Sequence, residues 1–285
     1  MDTKYTIKVG IIGGTGLDDL VEQMFRSKSF DVVGPLEGND FGAPSGPICQ
    51  GEIAGVRVAL LSRHGDGHKV NPTNVNYRAN IQALQMLGCT HILATTACGS
   101  LSESIAPGRL VIPDSFLDRT YRRSGTLFDG TSDEYCGVCH VPMEPAFDPR
   151  TSNVLEEAAK KLDRDIKKGG TIVTIEGPRF SSKAESKALR QWGGDLVNMT
   201  TCPEVFLAKE AGILYASIAV VTDYDCWKDS EDRVSVPSVM AVFNKNVKKV
   251  TEILTKAVEL IGQQYWDQDI DDLKQVIAGG NISKN

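Results

Sequence analysis

Two aspartates, Asp223 and Asp225, follow directly on a run of small and β-branched apolar residues, Ala216-Ser217-Ile218-Ala219-Val220-Val221-Thr222. Carboxyls delivered at the exit of a buried strand are shielded from water. There they can hold a proton for transfer or accept hydrogen bonds from the edge of a ligand. A lone Asp-x-Asp at such an exit is more often a turn former, so its weight depends on what else the chain delivers to the same place. Four other apolar runs end in comparable exits: Gly13-Gly14-Thr15-Gly16, Arg63-His64-Gly65, Thr95-Thr96-Ala97-Cys98-Gly99-Ser100 and Asn198-Met199-Thr200. Glycines let backbone N–H groups approach an anion closely. Arg63 at a strand exit offers a planar fork for an oxyanion, although a surface Arg-His pair is the commoner case.

The elements that must position these exits are legible in hydrophobic period and punctuation. Residues 8–12 read as a strand, and residues 52–61 as a hairpin about Ala54-Gly55 with a buried second strand. Ala79, Ile81, Leu84 and Leu87 share one face of a helix over 75–87 that Gly88 stops. Strands follow at 91–97 and 110–112. Residues 119–149, rich in Gly, Pro, Asp and Cys, read as a long irregular segment and a candidate cover for a site. Thr151 or Ser152 is expected to cap a helix running to Leu162.

After a strand at 171–175, Ser182-Lys183-Ala184-Glu185 has capping-box spacing. Thr201-Cys202-Pro203-Glu204 repeats that spacing, and an anion at such a helix start meets unpaired N–H donors and the positive end of the dipole. Ser235 caps a long last helix with Phe243, Val247, Val250, Leu254, Ala257 and Ile261 on one face. The polar tail, 263–285, is expected to be frayed or docked on a neighbouring subunit. Strands and helices alternate without repeats. That predicts one α/β domain over residues 1–285, its core at about 8–262, with a mixed but largely parallel central sheet and helices on both faces.

Bulk properties narrow the function classes. The net charge is −6, the sequence pI is near 5.3, and no basic run stands out beyond Arg119 to Arg123, which argues against nucleic acid or anionic membranes as partners. No signal design and no long apolar window point to a membrane, so the expected location is the cytoplasm or nucleus. Seven cysteines, an odd number, read as reduced thiols. Cys136-Gly137-Val138-Cys139-His140 matches the haem c attachment pattern, but that chemistry goes with export. A zinc site would need a second ligand pair, so neither haem nor metal is expected.

Together the five exits resemble the trimeric nucleoside phosphorylase family, and within it the branch that cleaves 5′-methylthioadenosine. The likeness is carried by Val9-Gly10-Ile11-Ile12-Gly13-Gly14-Thr15-Gly16-Leu17, by residues 95–101, by Thr174-Ile175-Glu176-Gly177-Pro178-Arg179-Phe180-Ser181-Ser182 and by Asp223-Tyr224-Asp225-Cys226-Trp227-Lys228. The resemblance implies the nucleoside phosphorylase fold, a homotrimer, inorganic phosphate as co-substrate and no cofactor. The implied reaction is phosphorolysis, in which phosphate attacks C1′ of a purine nucleoside through an oxocarbenium-like transition state.

By the same resemblance, phosphate is held by Thr15, Arg63, His64, Thr96, the Ala97 backbone and Thr200. Asp223 serves N7 of the leaving purine and Asp225 accepts from the 6-amino group. Met199 is similar to the residue that contacts the ribose, and Phe180 and Ser181 to residues of the base pocket. His140, Val236, Val239 and Met240 resemble the wall around the 5′-substituent, with Ile282 closing a neighbour's pocket. Phosphorylases of 6-oxopurines look different, with Asn at the position of Asp223 and an apolar residue at that of Asp225. An ionised Asp accepts but cannot donate to a keto oxygen, so the resemblance favours adenine. Pro237-Ser238 and Gly279-Gly280 depart from the family pattern on the 5′ side.

Two other readings compete. One is a phosphorylase preferring inosine or guanosine. The other is a nicotinamide-dependent dehydrogenase built on the glycine-rich start, but Asp19 stands where the third glycine of a dinucleotide fingerprint belongs. A non-catalytic nucleotide-binding module would not require five donor-bearing exits.

Overall fold

The computed structural model describes residues 3–14, 30–228 and 234–282. Its centre is a parallel array in the order β4 (Val56–Ser62), β1 (Lys8–Gly13), β5 (His91–Ser100) and β11 (Leu214–Asp223). Beyond β4 lie β3 (Ile48–Ile53) and β2 (Phe30–Val32), both antiparallel, the first joined to β4 through the expected hairpin. The C-terminal end of β5 also carries β10 (Leu196–Asn198), followed by β9 (Thr171–Ile175) and β7 (Ser115–Arg119). β6 (Leu110–Ile112) pairs antiparallel with β11 and carries β8 (Lys167–Lys168).

Side chains of the central strands alternate between two cores, as the period of two requires. Val9, Ile11, Val58, Leu60 and Leu93 point to one; Ile12, Ala59, Leu61, Ile92 and Ala94 point to the other. Helices α1 (Tyr77–Met86) and α4 (Thr201–Glu210) cover the second face. The first is covered by α2 (Pro149–Lys161), α5 (Val236–Gly262) and α6 (Asp267–Gly280). A small third cluster, Leu101, Val173, Leu189 and Val197, seats α3 (Lys183–Gln191). The mixed, largely parallel sheet with helices on both faces is the architecture expected from the sequence.

One feature of β5 organises the rest. Its edge toward β1 is paired only from His91 to Ala94, and the same edge is taken up again by β10 at Gly99 and Ser100. Between them, residues 95–98 pair with β11 on one side and with no described strand on the other. The sheet opens there.

Four expectations need correction. The cap of α2 is Asp148, whose carboxylate accepts from Thr151 N at 2.6 Å. Pro149 at the first helical position moves the start upstream of Thr151 and Ser152, because proline lacks an N–H and presets the helical φ. At α4 no capping box forms and Cys202 is non-helical, at φ −97° and ψ 134°, so the anion-binding helix start is broken after one residue. The tail forms α6 and docks on its own chain: Trp266 and Ile270 are buried, and Asp267 accepts from Lys4 N at 2.6 Å. Residues 119–149 contribute nothing to the lining of the main cavity. Instead Leu127, Tyr135 and Phe147 of this segment are buried in the α1/α4 core.

No described helix is long and apolar enough to cross a membrane. All seven cysteines are free thiols. Among the described residues no group of three His, Cys, Asp or Glu side chains is arranged to hold a metal ion.

His91, fully buried at the start of β5, stands edge-on to Trp266 at 4.5 Å, and its Nε2 makes no hydrogen bond. Burial, and secondarily Arg150, lowers its pKa to about 3. The unfolded chain therefore binds a proton below pH 6.5 that the folded chain refuses, so stability falls as pH drops from 6.5 toward 3. From pH 7 to pH 5 this one residue should cost about 2 kcal/mol. Chemical denaturation of wild type and His91→Phe at both pH values checks it, the variant losing that part of the acid sensitivity.

Candidate active site

Asp223 ends β11, and a one-residue bulge decides how it is presented. Val221 pairs with Cys98 and Asp223 with Gly99, which leaves Thr222 as the extra residue and resets the alternation at the strand's end. Gly99 is required by the close approach: a Cβ there would lie 2.9 Å from Asp223 Oδ1 and 3.2 Å from Val197 Cγ1. The carboxylate Oδ1 accepts from Asp225 N at 2.7 Å. Thr222 Oγ1 lies 2.7 Å from Oδ2 and 3.1 Å from Cys98 O, so its single proton serves one of them at a time. Burial raises the Asp223 pKa, the Asp225 charge adds to the rise, and the hydrogen bonds from Thr222 and Asp225 N oppose it. A carboxyl shifted in that direction is closer to holding a proton at neutral pH, as a donor must.

Asp225 occupies the left-handed region at φ 50°, which Asp tolerates better than bulkier residues. Burial raises its pKa as well. Its Oδ2 and the Ser181 Oγ are both buried without a hydrogen bond, and both residues line the cavity described below. Unsatisfied buried polar atoms are costly, and here they sit where a ligand edge could pair with them.

The opposite wall is built on Arg63, whose side chain is 2% exposed. Its Nε and Nη2 donate to the two Glu204 oxygens at 2.6 and 2.7 Å, and Nη1 donates to Thr95 O at 2.9 Å. Tyr215 steadies Glu204 by donating to Oε1 at 2.8 Å. Among the described residues, three of the five guanidinium N–H groups are thereby committed, and the fork is fixed in the gap beside β5. Gly14 makes room for it, since a Cβ there would lie 2.7 Å from Arg63 Nη1 and 2.6 Å from Thr95 O.

His64 is 3% exposed, and its Nδ1 lies 2.8 Å from Val70 O. A carbonyl can only accept, so Nδ1 carries the proton in this contact. Thr96 and Thr200 bring their hydroxyls within 3.5 Å of each other. Asn198 orients that pair by donating to Thr96 Oγ1 at 3.0 Å and to Thr201 Oγ1 at 2.7 Å, with its own carbonyl held by Thr174.

These walls enclose a cavity of about 370 Å³ at the C-terminal ends of the central strands, within the range of about 300–1,000 Å³ usual for small-molecule sites. Arg63, His64, Thr96, Ala97 and Thr200 line one side. Asp223, Asp225, Phe180, Ser181 and Met199 line it as well, and Val236, Val239 and Met240 close one end with apolar surface. One space therefore joins a wall bearing a guanidinium, an imidazole and two hydroxyls to a carboxyl with a raised pKa.

Two expected residues are not brought there, and a third cannot be compared. Thr15 lies outside the described residues. His140 and Ile282 do not line the cavity of their own chain. His140 N donates to Gly280 O at 2.9 Å and Ile282 N to Val138 O at 3.0 Å, so the two segments are stitched to each other elsewhere on the surface.

Residues 8–259 match the phosphorylase superfamily. The chain belongs to that superfamily. Among its relatives is the S-methyl-5′-thioadenosine phosphorylase of Aedes aegypti, 56% identical over 274 residues and covering 96% of both chains. The enzyme of the same name from Danio rerio is 50% identical, covering 97% of this chain and 96% of that one. Among solved structures, methylthioadenosine phosphorylase from Schistosoma mansoni in complex with adenine superposes with a TM-score of 0.89 at 42% identity, covering 97% of this chain and 99% of that one.

Some residues of this superfamily member's site escaped the sequence reading. Glu204 was read as half of a capping box, and its spacing to Thr201 hid its true partner, Arg63. Asn198 and Thr222 stand in the quoted exits, yet nothing in a linear pattern says that they orient Thr96 and Asp223. Arg123, the last residue of the basic stretch, was visible only as charge, with nothing to tie it to the cavity.

Proposed function

We propose that the protein phosphorolyses S-methyl-5′-thioadenosine to adenine and 5-methylthio-α-D-ribose 1-phosphate. The observation that carries this reading is the single cavity with Arg63, His64, Thr96 and Thr200 on one wall and, on another, Asp223, whose pKa burial raises. The names of the relatives support the same choice of substrate.

In this mechanism phosphate, held by those four residues with the Ala97 backbone and Thr15, attacks C1′ from below the sugar. The C1′–O bond forms as C1′–N9 breaks, electrons flow into the purine, and Asp223 supplies a proton at N7 so that neutral adenine leaves. Fixing the anion beneath the sugar also stabilises the positive charge that develops there. Asp225, with its unpaired Oδ2, accepts from the 6-amino group, and Met199 contacts the ribose. The base lies between Phe180 and Ser181. Phosphate is the co-substrate, and these side chains supply the acid and the anion site without a cofactor.

Val236, Val239 and Met240 face the methylthio group. Such a wall separates a methylthio from a hydroxyl group by only about 1–3 kcal/mol, so adenosine is a weaker substrate rather than an excluded one. Val236 lines the cavity yet remains 63% exposed, while Ile282 is 58% exposed and its segment is bridged, Asn281 to Cys139, to the one that carries His140. In a homotrimer, a neighbour's Ile282 and His140 would cover the exposed side of this apolar end.

The test is adenine release from methylthioadenosine with and without inorganic phosphate, run beside adenosine and inosine. Adenine should appear only with phosphate, with kcat/KM highest for methylthioadenosine. Equal release without phosphate would make the protein a hydrolase, and preference for inosine would overturn the role of Asp225.

A further inference from the structure

Arg123 lies on none of the cavity walls, yet it touches three of the segments that form them. Its side chain is 2% exposed. Nη1 donates to Met199 O and to Cys202 O, both at 2.7 Å, gripping the turn that presents Met199 and Thr200. Nη2 donates to Glu176 O at 2.6 Å and Nε to Glu176 Oε1 at 3.3 Å, at the head of the loop that carries Phe180 and Ser181. Nη1 also lies 3.1 Å from Tyr77 OH, whose own proton goes to Pro72 O at 2.9 Å beside the cavity.

The Glu176 carboxylate completes the assembly. It accepts from Tyr121 N at 2.7 Å and Arg122 N at 3.2 Å, so the segment bearing Arg123 is itself held to the loop it organises. Burial opposes ionisation of Glu176, but these N–H groups and the Arg123 charge outweigh it and keep its pKa below the ordinary value. The two gripped loops are in close contact: a Cβ at Gly177 would lie 2.6 Å from Met199 Sδ. One planar cation therefore sets the spacing between the surface offered to the base and the surface offered to the sugar and phosphate.

We propose that Arg123 is a positioning residue for the reaction, acting through the 176–181 and 199–202 loops to hold the nucleoside and phosphate subsites in register. The proposal rests on the phosphorolytic reading above. It separates Arg123 from a merely structural buried arginine by its kinetic signature: loss of folding alone lowers the number of working sites, whereas loss of register weakens both substrates at every site. A lysine keeps the charge but not the fork, and so cannot hold three backbone carbonyls on two segments at once.

The experiment measures kcat, and KM for methylthioadenosine and for phosphate, in wild type, Arg123→Lys and Arg123→Ala. Active sites are counted by adenine titration, and thermal unfolding is followed in parallel. KM for both substrates should rise by about tenfold and kcat/KM fall by roughly 10–100-fold in Arg123→Ala. Arg123→Lys should lie between, and guanidinium ion at millimolar concentration should restore part of the loss in Arg123→Ala. Should Arg123→Ala not fold, Arg123→Lys and Tyr77→Phe carry the test, the latter removing only the hydroxyl that links Arg123 Nη1 to Pro72 O. Wild-type KM values for both substrates in the folded variants, with only the count of active sites reduced, would overturn the assignment. A wild type without phosphate-dependent turnover would instead sink the reading of function, so the two failures are told apart.

Discussion

Asp223→Asn lowers kcat for methylthioadenosine by about 10²–10⁴-fold, with thermal unfolding close to that of wild type. The amide is nearly isosteric, and its oxygen can still accept the 2.7 Å hydrogen bond from Asp225 N. What it cannot do is give up a proton, and the departing purine needs one before it is a good leaving group. The direction of the Asp223 pKa shift makes a second measurement available. Because burial raises that pKa, the working protonated form persists further toward neutrality and is lost as pH climbs past it. Initial rates across pH should therefore fall on the alkaline side for wild type and lose that dependence in Asp223→Asn. Turnover by the variant at the wild-type rate would remove Asp223 from the chemistry altogether.

The buried Arg63–Glu204 pair gives the largest expected effect on stability. Glu204→Ala should cost about 3–5 kcal/mol, because it strands a guanidinium in the core without its counter-charge. The surroundings make rescue by solvent poor: the two side chains are 2% and 1% exposed. Arg63→Ala leaves the carboxylate stranded and should cost a similar amount. Replacing both at once, as in Arg63→Met with Glu204→Leu, should be much milder, since no uncompensated charge remains. Urea unfolding of the four proteins measures this. If Glu204→Ala unfolds within about 0.5 kcal/mol of wild type, water or another group is satisfying Arg63. Even the stable double variant should bind phosphate far more weakly, since its anion wall has lost the guanidinium fork.

Much of the scaffold was legible because the strands are β-branched apolar runs that end abruptly, and each end carries polar chemistry of an unmistakable type. Gly88 and Ser182 punctuate α1 and α3 where expected, for local reasons of backbone sterics and capping. What stayed hidden is long-range pairing. Glu204 meets Arg63 across 141 residues, and Arg123 meets Met199 across 76. Capping-box spacing at Thr201 misled because a buried cation competes for the same glutamate and wins. The α2 cap was misplaced because Pro149 was not read together with Asp148. The exits of β5 and β11 could be named as chemical ends, but not the bulge at Thr222 that aims Asp223. His140 and Ile282 do not line the cavity of their own chain, and nothing in a linear pattern tells a residue of the same wall from one that another subunit would have to bring.

The opening in the sheet beside residues 95–98 has one more consequence. Unpaired strand backbone is ordinarily a hazard, a template on which a foreign strand can add and from which aggregates grow. Here the unpaired stretch is four residues long and lies between β1 and β10 rather than at the rim, with Arg63 and Gly14 filling its beginning. An intruding chain finds neither the length to grip nor a flank from which to approach, while a small molecule finds both room and hydrogen-bonding groups. The fold thus keeps the adhesiveness of an unfinished sheet and makes it available only to guests too small to polymerise.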